Sequence, residues 1–352
     1  MNKSTDGSLS MLASDNASGV HPLVLEALAE ANHGHSLGYG NDPWTARMDE
    51  CFRETFGGHV EVFAVTTGTA ANVLALKGML ASHQSILCSD VAHLLVDECG
   101  APENVIGSKL VGIPSPDGRL DLAAVEAHLQ KTAGIVHHSQ PGVVSLTQVT
   151  ERGTLYRAEE IAALVDLSRR HGLRVHMDGA RLANAAVALG LTLRELTTEL
   201  GIDVLSFGGT KNGLMMAEAI VVLNPALADS YGFIRKQGMQ LVSKQRFLAA
   251  QFLAYFDNQL WQRNAEHANR MAALLAESLQ QYPSVQLNSP VEANMIFATL
   301  PEDWVEPLQQ VSYFNLWNAA TSEVRLITGF DTRHEDIERF LAAVADLEQR
   351  TV

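Results

Sequence analysis

The sequence predicts an α/β fold: a large domain on a mostly parallel sheet, followed by a smaller C-terminal α+β domain. Three observations carry that expectation. Short apolar runs at 62–65, 143–148, 174–177 and 203–207 alternate with helical patterns, which implies parallel pairing with right-handed crossovers. From about residue 265 the pattern changes to a helix, three strand-like runs (285–288, 294–299 and 324–328) and a terminal helix. A chain of 352 residues, 47% of them hydrophobic, is long enough for one large domain and a small one. The expected division is a flexible polar tail over 1–14, a large domain over 15–264 and a small domain over 265–352.

Taken in order, the elements are justified as follows. His21-Pro22 marks the start of a first helix. Asp42-Pro43 is an N-cap followed by proline at the first helical position. The strand at 62–65 runs into Thr66-Thr67-Gly68-Thr69-Ala70 and a helix reaching residue 80, a geometry that aims free backbone N–H groups at an anion. Thr69 is the expected cap of that helix, and Gly68 and Thr69 are the expected phosphate cradle. Ser89-Asp90 should start a helix carrying His93 and Asp97 four residues apart on one face. Helices are expected at 121–131 and 157–171, a strand at 218–223, and one long helix from 246 to 269 and beyond.

Composition excludes several functions. The formal charge of −15 argues against nucleic acid, whose phosphates need a basic surface, and disfavours an anionic membrane surface. No apolar run approaches the length of a membrane span. Cys51, Cys88 and Cys99 show neither a CxxC nor metal-like clustering, so reduced thiols in the cytoplasm are the default expectation. His137-His138 invites a metal reading, but no third ligand accompanies the pair at a sensible spacing, and no metal is expected.

The stretch that carries chemistry lies between residues 175 and 213. It reads V-H-M-D-G-A-R, a helical run, then D-V-L-S-F-G-G-T-K-N-G. Asp178 and Lys211 each fall just past the carboxyl end of a strand, where open α/β sheets place ligands. Singly, each is an ordinary helix start or surface-loop residue. Together they are what pyridoxal phosphate needs: a lysine to form the Schiff base and a carboxylate to keep the pyridine nitrogen protonated. Arg325 sits on an otherwise apolar strand, so it is expected to be paired or functional.

These stretches resemble the H-M-D-G-A-R and S-F-G-G-T-K-N-G motifs of the threonine aldolase family, enzymes of the aspartate-aminotransferase-like superfamily. The likeness runs from Ser14-Asp15-Asn16 to Val324-Arg325, and a related branch acts on phenylserine. The resemblance implies pyridoxal phosphate and retro-aldol cleavage of threonine and related β-hydroxy-α-amino acids to glycine and an aldehyde. It also implies a homo-oligomer, a dimer of dimers, with the stretches at 38–43 and 235–246 as candidates to cross the contact. Arg181 and Arg325 would hold the substrate carboxylate, with Ser14 beside it and Tyr39 at the mouth of the site. His93 would stack on the pyridine ring, with Asp97 orienting it. Some family members place a histidine after the strand that ends here in Leu146-Thr147-Gln148, whereas this chain has Thr150 and Glu151. The closer branch has a histidine where His137 falls. His137 is therefore the expected base for the β-hydroxyl, with His93 assisting. Another PLP lyase or an aminotransferase is the alternative activity, and a non-catalytic binding module of the same fold is the remaining one.

Overall fold

A computed structural model describes residues 10–351. The chain enters on β1 (Ser10–Met11), then passes through β2 (Glu61–Val65), β3 (Gln84–Ser89), β4 (Lys109–Ile113), β5 (Gln140–Thr147), β6 (Arg174–Gly179), β7 (Val204–Gly208) and β8 (Glu218–Val222). Strands β2 to β8 form one seven-stranded sheet in the order β2-β8-β7-β6-β5-β3-β4. Pairings among β3 to β7 are parallel, and β8 alone runs antiparallel, to both β7 and β2. Strands β7 and β8 are buried along their whole length, the pattern of a sheet covered on both faces.

The ends of these strands depend on glycine. A Cβ at Gly208 would meet the carbonyl oxygen of Ala180 at 2.4 Å, and one at Gly179 would meet that of Ser206 at 2.9 Å. The turns after β6 and β7 therefore touch backbone to backbone, which brings Asp178 and Lys211 to the same edge.

The C-terminal part adds β9 (Gln286–Leu287), β10 (Met295–Thr299), β11 (Ser312–Tyr313), β12 (Asn315–Asn318) and β13 (Glu323–Ile327). β9, β10, β12 and β13 make an antiparallel sheet in the order β12-β13-β10-β9. Its own core gathers Trp304, Phe314, Phe340 and Leu326. β1 pairs in parallel with β11, and Leu12 and Ala13 are buried, so the chain is already docked on the small domain before residue 14. Residues 1–9 of the expected tail lie outside the described residues.

Two local expectations are corrected, and one helix is added. The helix expected from Ser89 is a four-residue piece, His93–Val96, and Asp97 is its C-cap. The chain turns there because Ala92 donates its N–H to the Ser89 carbonyl and β3 has only just ended. The long helix expected from 246 is two helices, Arg246–Phe256 and Leu260–Leu279. They are parted where Asn258 and Gln259 adopt positive φ, a backbone state that ends α-helical hydrogen bonding. A helix at Glu302–Val311 joins the small domain, although Pro307 lies inside it.

Candidate active site

Five chain segments meet at the carboxyl edge of the large sheet: the turns after β2, β3, β5, β6 and β7. With β10, β12 and β13 of the small domain they enclose a cavity of about 250 Å³, whose lining includes Gly68, Asn72, His93, Asp97, Glu98, Glu151, Asp178, Arg181, Lys211, Trp317 and Arg325.

Asp178 sits near the end of β6, buried. Its Oδ1 accepts the Ala180 N–H at 3.0 Å and its Oδ2 accepts Asn72 Nδ2 at 2.8 Å. Lys211 lies in a single 3-10 turn, Thr210–Asn212, that follows β7. That turn is fixed from two sides. Glu218 accepts the Gly209 and Thr210 amides at 3.3 Å, and Asn212 donates to the Tyr255 hydroxyl and the Trp261 carbonyl at 2.8 Å. Burial raises the Glu218 carboxyl above its usual range, opposed by its hydrogen bonds to this turn and by the charge of Lys211.

The helix Gly68–Lys77 begins two residues earlier than the expected cap at Thr69 implies. Thr67, not Thr69, is its cap: the Thr67 side chain accepts the Ala70 N–H at 3.1 Å. The amides of Gly68 and Thr69 then belong to a first turn that has no intrahelical acceptors. A Cβ at Gly68 would meet nothing within 4 Å, so the space over this helix end is open.

His93 lies on the turn after β3, and its partner is not Asp97. Nδ1 of His93 is 3.1 Å from Oε1 of buried Glu98, because Asp97 caps the short helix while Glu98 turns inward. Asn72 Nδ2 bridges the same Glu98 oxygen, at 2.9 Å, to Asp178. The hydrogen bond to Glu98 raises the His93 pKa above its usual value; burial opposes it, and the negative charge of Asp178 adds to the rise. Asp97 still lines the cavity.

The two arginines differ in how they are held. Arg181 donates from Nε and Nη2 to Asp15 at 2.7 and 2.8 Å. Burial works against the Asp15 charge, but Arg181 outweighs it and holds the carboxyl below the usual range. Arg325 has no carboxylate partner among the described residues. Its guanidinium lies 4.4 Å from the centre of the Trp317 ring, and Nε is buried without a hydrogen-bond partner. Burial lowers its pKa, and nearby Arg181 lowers it further.

Three expected residues fall elsewhere. His137 is exposed on the loop before β5. Since that strand runs eight residues from Gln140 to the cavity at Thr147, the sheet itself separates His137 from Asp178 by about 23 Å at roughly 3.3 Å per residue. Within one chain it therefore lies outside this cavity. Ser14 caps the short turn Asp15–Ala17 by accepting the Asn16 N–H, and is not among the cavity residues. Tyr39, at positive φ, is also outside the cavity. It packs beside Lys236, and its amide donates to the Ser243 carbonyl at 3.0 Å.

Glu98, Glu151 and Asn72 were missed as site residues. Glu98 and Asn72 read as ordinary helix-pattern polar residues. Glu151 gave the one available signal, since it stands after β5 where some family members have a histidine.

The residues present fit pyridoxal phosphate. Asn72 Oδ1, Glu98 Oε2, Glu151 Oε2 and Arg325 Nε are all buried without a hydrogen-bond partner, and all four residues line the one cavity that also holds Lys211 and Asp178. No group of three or more His, Cys, Asp or Glu residues able to hold a metal occurs among the described residues.

Comparison with known proteins agrees with this geometry. The sequence model of the Beta-eliminating lyase family matches residues 11–302. A low specificity L-threonine aldolase of Pseudomonas aeruginosa is 44% identical over 336 residues, which cover 95% of this chain and 96% of that protein. A second, from Pseudomonas sp., is 42% identical over 94% of this chain and 96% of its own. Among solved structures, the threonine aldolase of Leishmania major superposes with a TM-score of 0.90 at 28% identity, covering 96% of this chain and 99% of that one. With its family model, its relatives and its fold in agreement, the chain belongs to the beta-eliminating lyase family, alongside the low-specificity threonine aldolases.

Proposed function

We propose that this protein is a pyridoxal-phosphate-dependent carbon–carbon lyase that cleaves L-threonine and related β-hydroxy-α-amino acids to glycine and an aldehyde. One observation carries the reading: Lys211, Asp178 and an arginine with no carboxylate partner share one cavity at the carboxyl edge of the sheet. The names of the relatives at 44% and 42% identity support it.

Lys211 would bind the cofactor covalently, and Asp178 would accept the hydrogen of its ring nitrogen. The free amides of Gly68 and Thr69, at a helix N-terminus, would hold its phosphate. The bound cofactor supplies an electron sink for the bond broken at Cα. His93, held by Glu98, would cover the ring. Arg325 is the open cation for the substrate carboxylate, with the remaining Nη1 of Arg181 beside it. Holding that carboxylate selects which bond at Cα breaks. The apolar rim of Val96, Met295 and Trp317 suits the aldehyde side chain, from a methyl to a phenyl group.

The test is to incubate the purified protein with threonine and with phenylserine and identify the products. Glycine and the matching aldehyde are expected. Release of an oxo acid would point to an aminotransferase instead, and release of ammonia to an eliminating lyase.

The same reading includes a homo-oligomer, a dimer of dimers, in the cytoplasm. Tyr39, Phe233 and Met239 are exposed apolar residues close to the Gly68 turn, where Gln240 accepts the Thr66 N–H at 3.0 Å. A second copy lying on this face would bring Tyr39 and the basic 235–246 stretch toward a neighbouring cofactor. No helix among the described residues is long and apolar enough to cross a membrane, and Cys51, Cys88 and Cys99 are free.

A further inference from the structure

Within one chain His137 lies across the sheet from the cavity, and cleavage of a β-hydroxy amino acid needs a group to take the hydroxyl proton. The segment after β5 is built to present one. Gln148 clamps it by donating to the Tyr156 carbonyl at 2.9 Å and accepting the Tyr156 N–H at 3.0 Å. The Thr150 and Thr154 hydroxyls lie 2.7 Å apart and close the turn. Arg152 is drawn away to Glu323 at 3.1 Å, so the residue beside it has no ion-pair partner among the described residues. That residue is Glu151, and it lines the cavity.

The two oxygens of its carboxyl are in different situations. Oε1 accepts the His93 N–H at 2.7 Å and the Thr147 hydroxyl at 2.9 Å. Oε2 is buried with no hydrogen-bond partner. One oxygen is therefore anchored by two elements of the large domain, and the other is left for something that enters the cavity.

We propose that Glu151 is the catalytic base for the β-hydroxyl, accepting its proton on Oε2 as the carbon–carbon bond breaks. The proposal rests on the aldolase reading and deepens it. The substrate O–H bond breaks and an O–H bond forms on Oε2. The oxygen's electron pair becomes the second bond of the aldehyde carbonyl, and the Cα–Cβ pair stays with Cα. A proton added at Cα completes glycine, so one proton leaves the substrate, one returns, and nothing is oxidised or reduced overall.

The electrostatics suit this role. Burial pushes the Glu151 carboxyl up to about 7, the charge of Asp178 adds to the rise, and the hydrogen bonds from His93 and Thr147 oppose it. A base whose pKa lies near the working pH is both available and strong enough. The other charged or titratable groups lining the cavity are Asp97, Glu98, His93, Lys211, Arg181 and Arg325. Neither Lys211 nor either arginine forms a salt bridge with Glu151.

The holoenzyme carrying Glu151→Gln tests this. The amide keeps an acceptor for His93 and Thr147 but cannot take a proton. Threonine cleavage is expected to fall by about 10²-fold or more, far more than exchange of the glycine α-proton, which involves no hydroxyl. The acidic limb of the kcat/KM profile near pH 7 should vanish with it. Difference infrared spectra between pH 6 and pH 8 should show a protonated-carboxyl band in the wild type that the variant lacks. Thr147→Val, which removes one hydrogen bond to Oε1, should move the limb and the band to higher pH, an effect that a merely structural Glu151 would not produce. Equal loss of cleavage and exchange, or an unmoved profile in both variants, would overturn the proposal. If the wild type does not cleave threonine at all, the aldolase reading fails, while the infrared titration still decides whether Glu151 carries a proton.

Discussion

At Asp178 the demand on a single residue is unusually strict. Both carboxylate oxygens already accept donors, the Ala180 amide and the Asn72 amide group. In Asp178→Asn one oxygen becomes an NH2 facing a donor, and the charge that would keep a ring nitrogen protonated is gone. Turnover should fall by roughly 3–4 kcal/mol in barrier terms, as when a preorganised contact is lost in a desolvated site. Steady-state kinetics on threonine, with cofactor content measured by absorbance, checks this; near-normal turnover would remove Asp178 from its role. Glu151 makes a second prediction, about stability. Its folded pKa of about 7 lies above its ordinary 4.5. The stability this contributes is complete below 4.5 and is lost as the pH rises through 7. Glu151→Gln, which never ionises, should match the wild type at pH 4.5 and exceed it at pH 8 by about 3 kcal/mol. Urea denaturation of both proteins at the two pH values reads the difference directly. At this scale Asp178, Lys211, Gly68 and Arg325, which line one cavity, stood out in the sequence because each interrupts a regular pattern. That His137 precedes the strand ending at Thr147 was legible too, but not that eight strand residues hold it away from the same chain's cavity. Nor was it legible that Glu98 rather than Asp97 turns toward His93, because that depends on where a four-residue helix stops.

Among the elements, the helix that follows β2 has the most to lose from one side chain. Thr67 caps it from a part of the turn that is exposed, while the helix body is buried from Ala71 to Leu76. Thr67→Ala should cost about 1 kcal/mol, the usual consequence of deleting an N-cap hydroxyl. A change below a few tenths in urea denaturation would mean that the cap lies elsewhere, with Thr69 the next candidate. Five strands of the large sheet were readable, being short, apolar and ended by glycine or a polar turn, whereas β3 and β4 were not anticipated. The helix Leu182–Leu189 and the cap at Asp42 also follow from residue pattern alone. The break at 257–259 was not readable: Asp257-Asn258-Gln259 carries neither glycine nor proline, and the positive φ of Asn258 and Gln259 arises from how two helices pack. The helix at Glu302–Val311 was hidden for the opposite reason, since Pro307 argues against helix locally while Trp304, Val305 and Leu308 bury its inner face.

At the scale of the whole molecule, several large apolar residues stand exposed on neighbouring segments. Phe233 is 75% exposed, Met239 87% and Leu37 74%, in segments linked through the Tyr39–Ser243 backbone hydrogen bond and the Tyr39–Lys236 contact. The acidic chain is well suited to stay in solution, yet it carries Arg235, Lys236, Lys244 and Arg246 within twelve residues of one another here. Basic residues gathered beside exposed apolar ones and beside a helix N-terminus fit a contact that also places cations near a neighbour's phosphate. Light scattering should therefore give at least a dimer of the 38.1 kDa chain. The variant Phe233→Asp with Met239→Asp should shift it toward monomer, because two buried charges without partners are costly at an interface. Cofactor retention should weaken in the same variant if the contact completes the phosphate site. A wild-type monomer that holds its cofactor and turns over fully would remove the second copy from the site, and the 235–246 cations would then have to be explained as a solvated face.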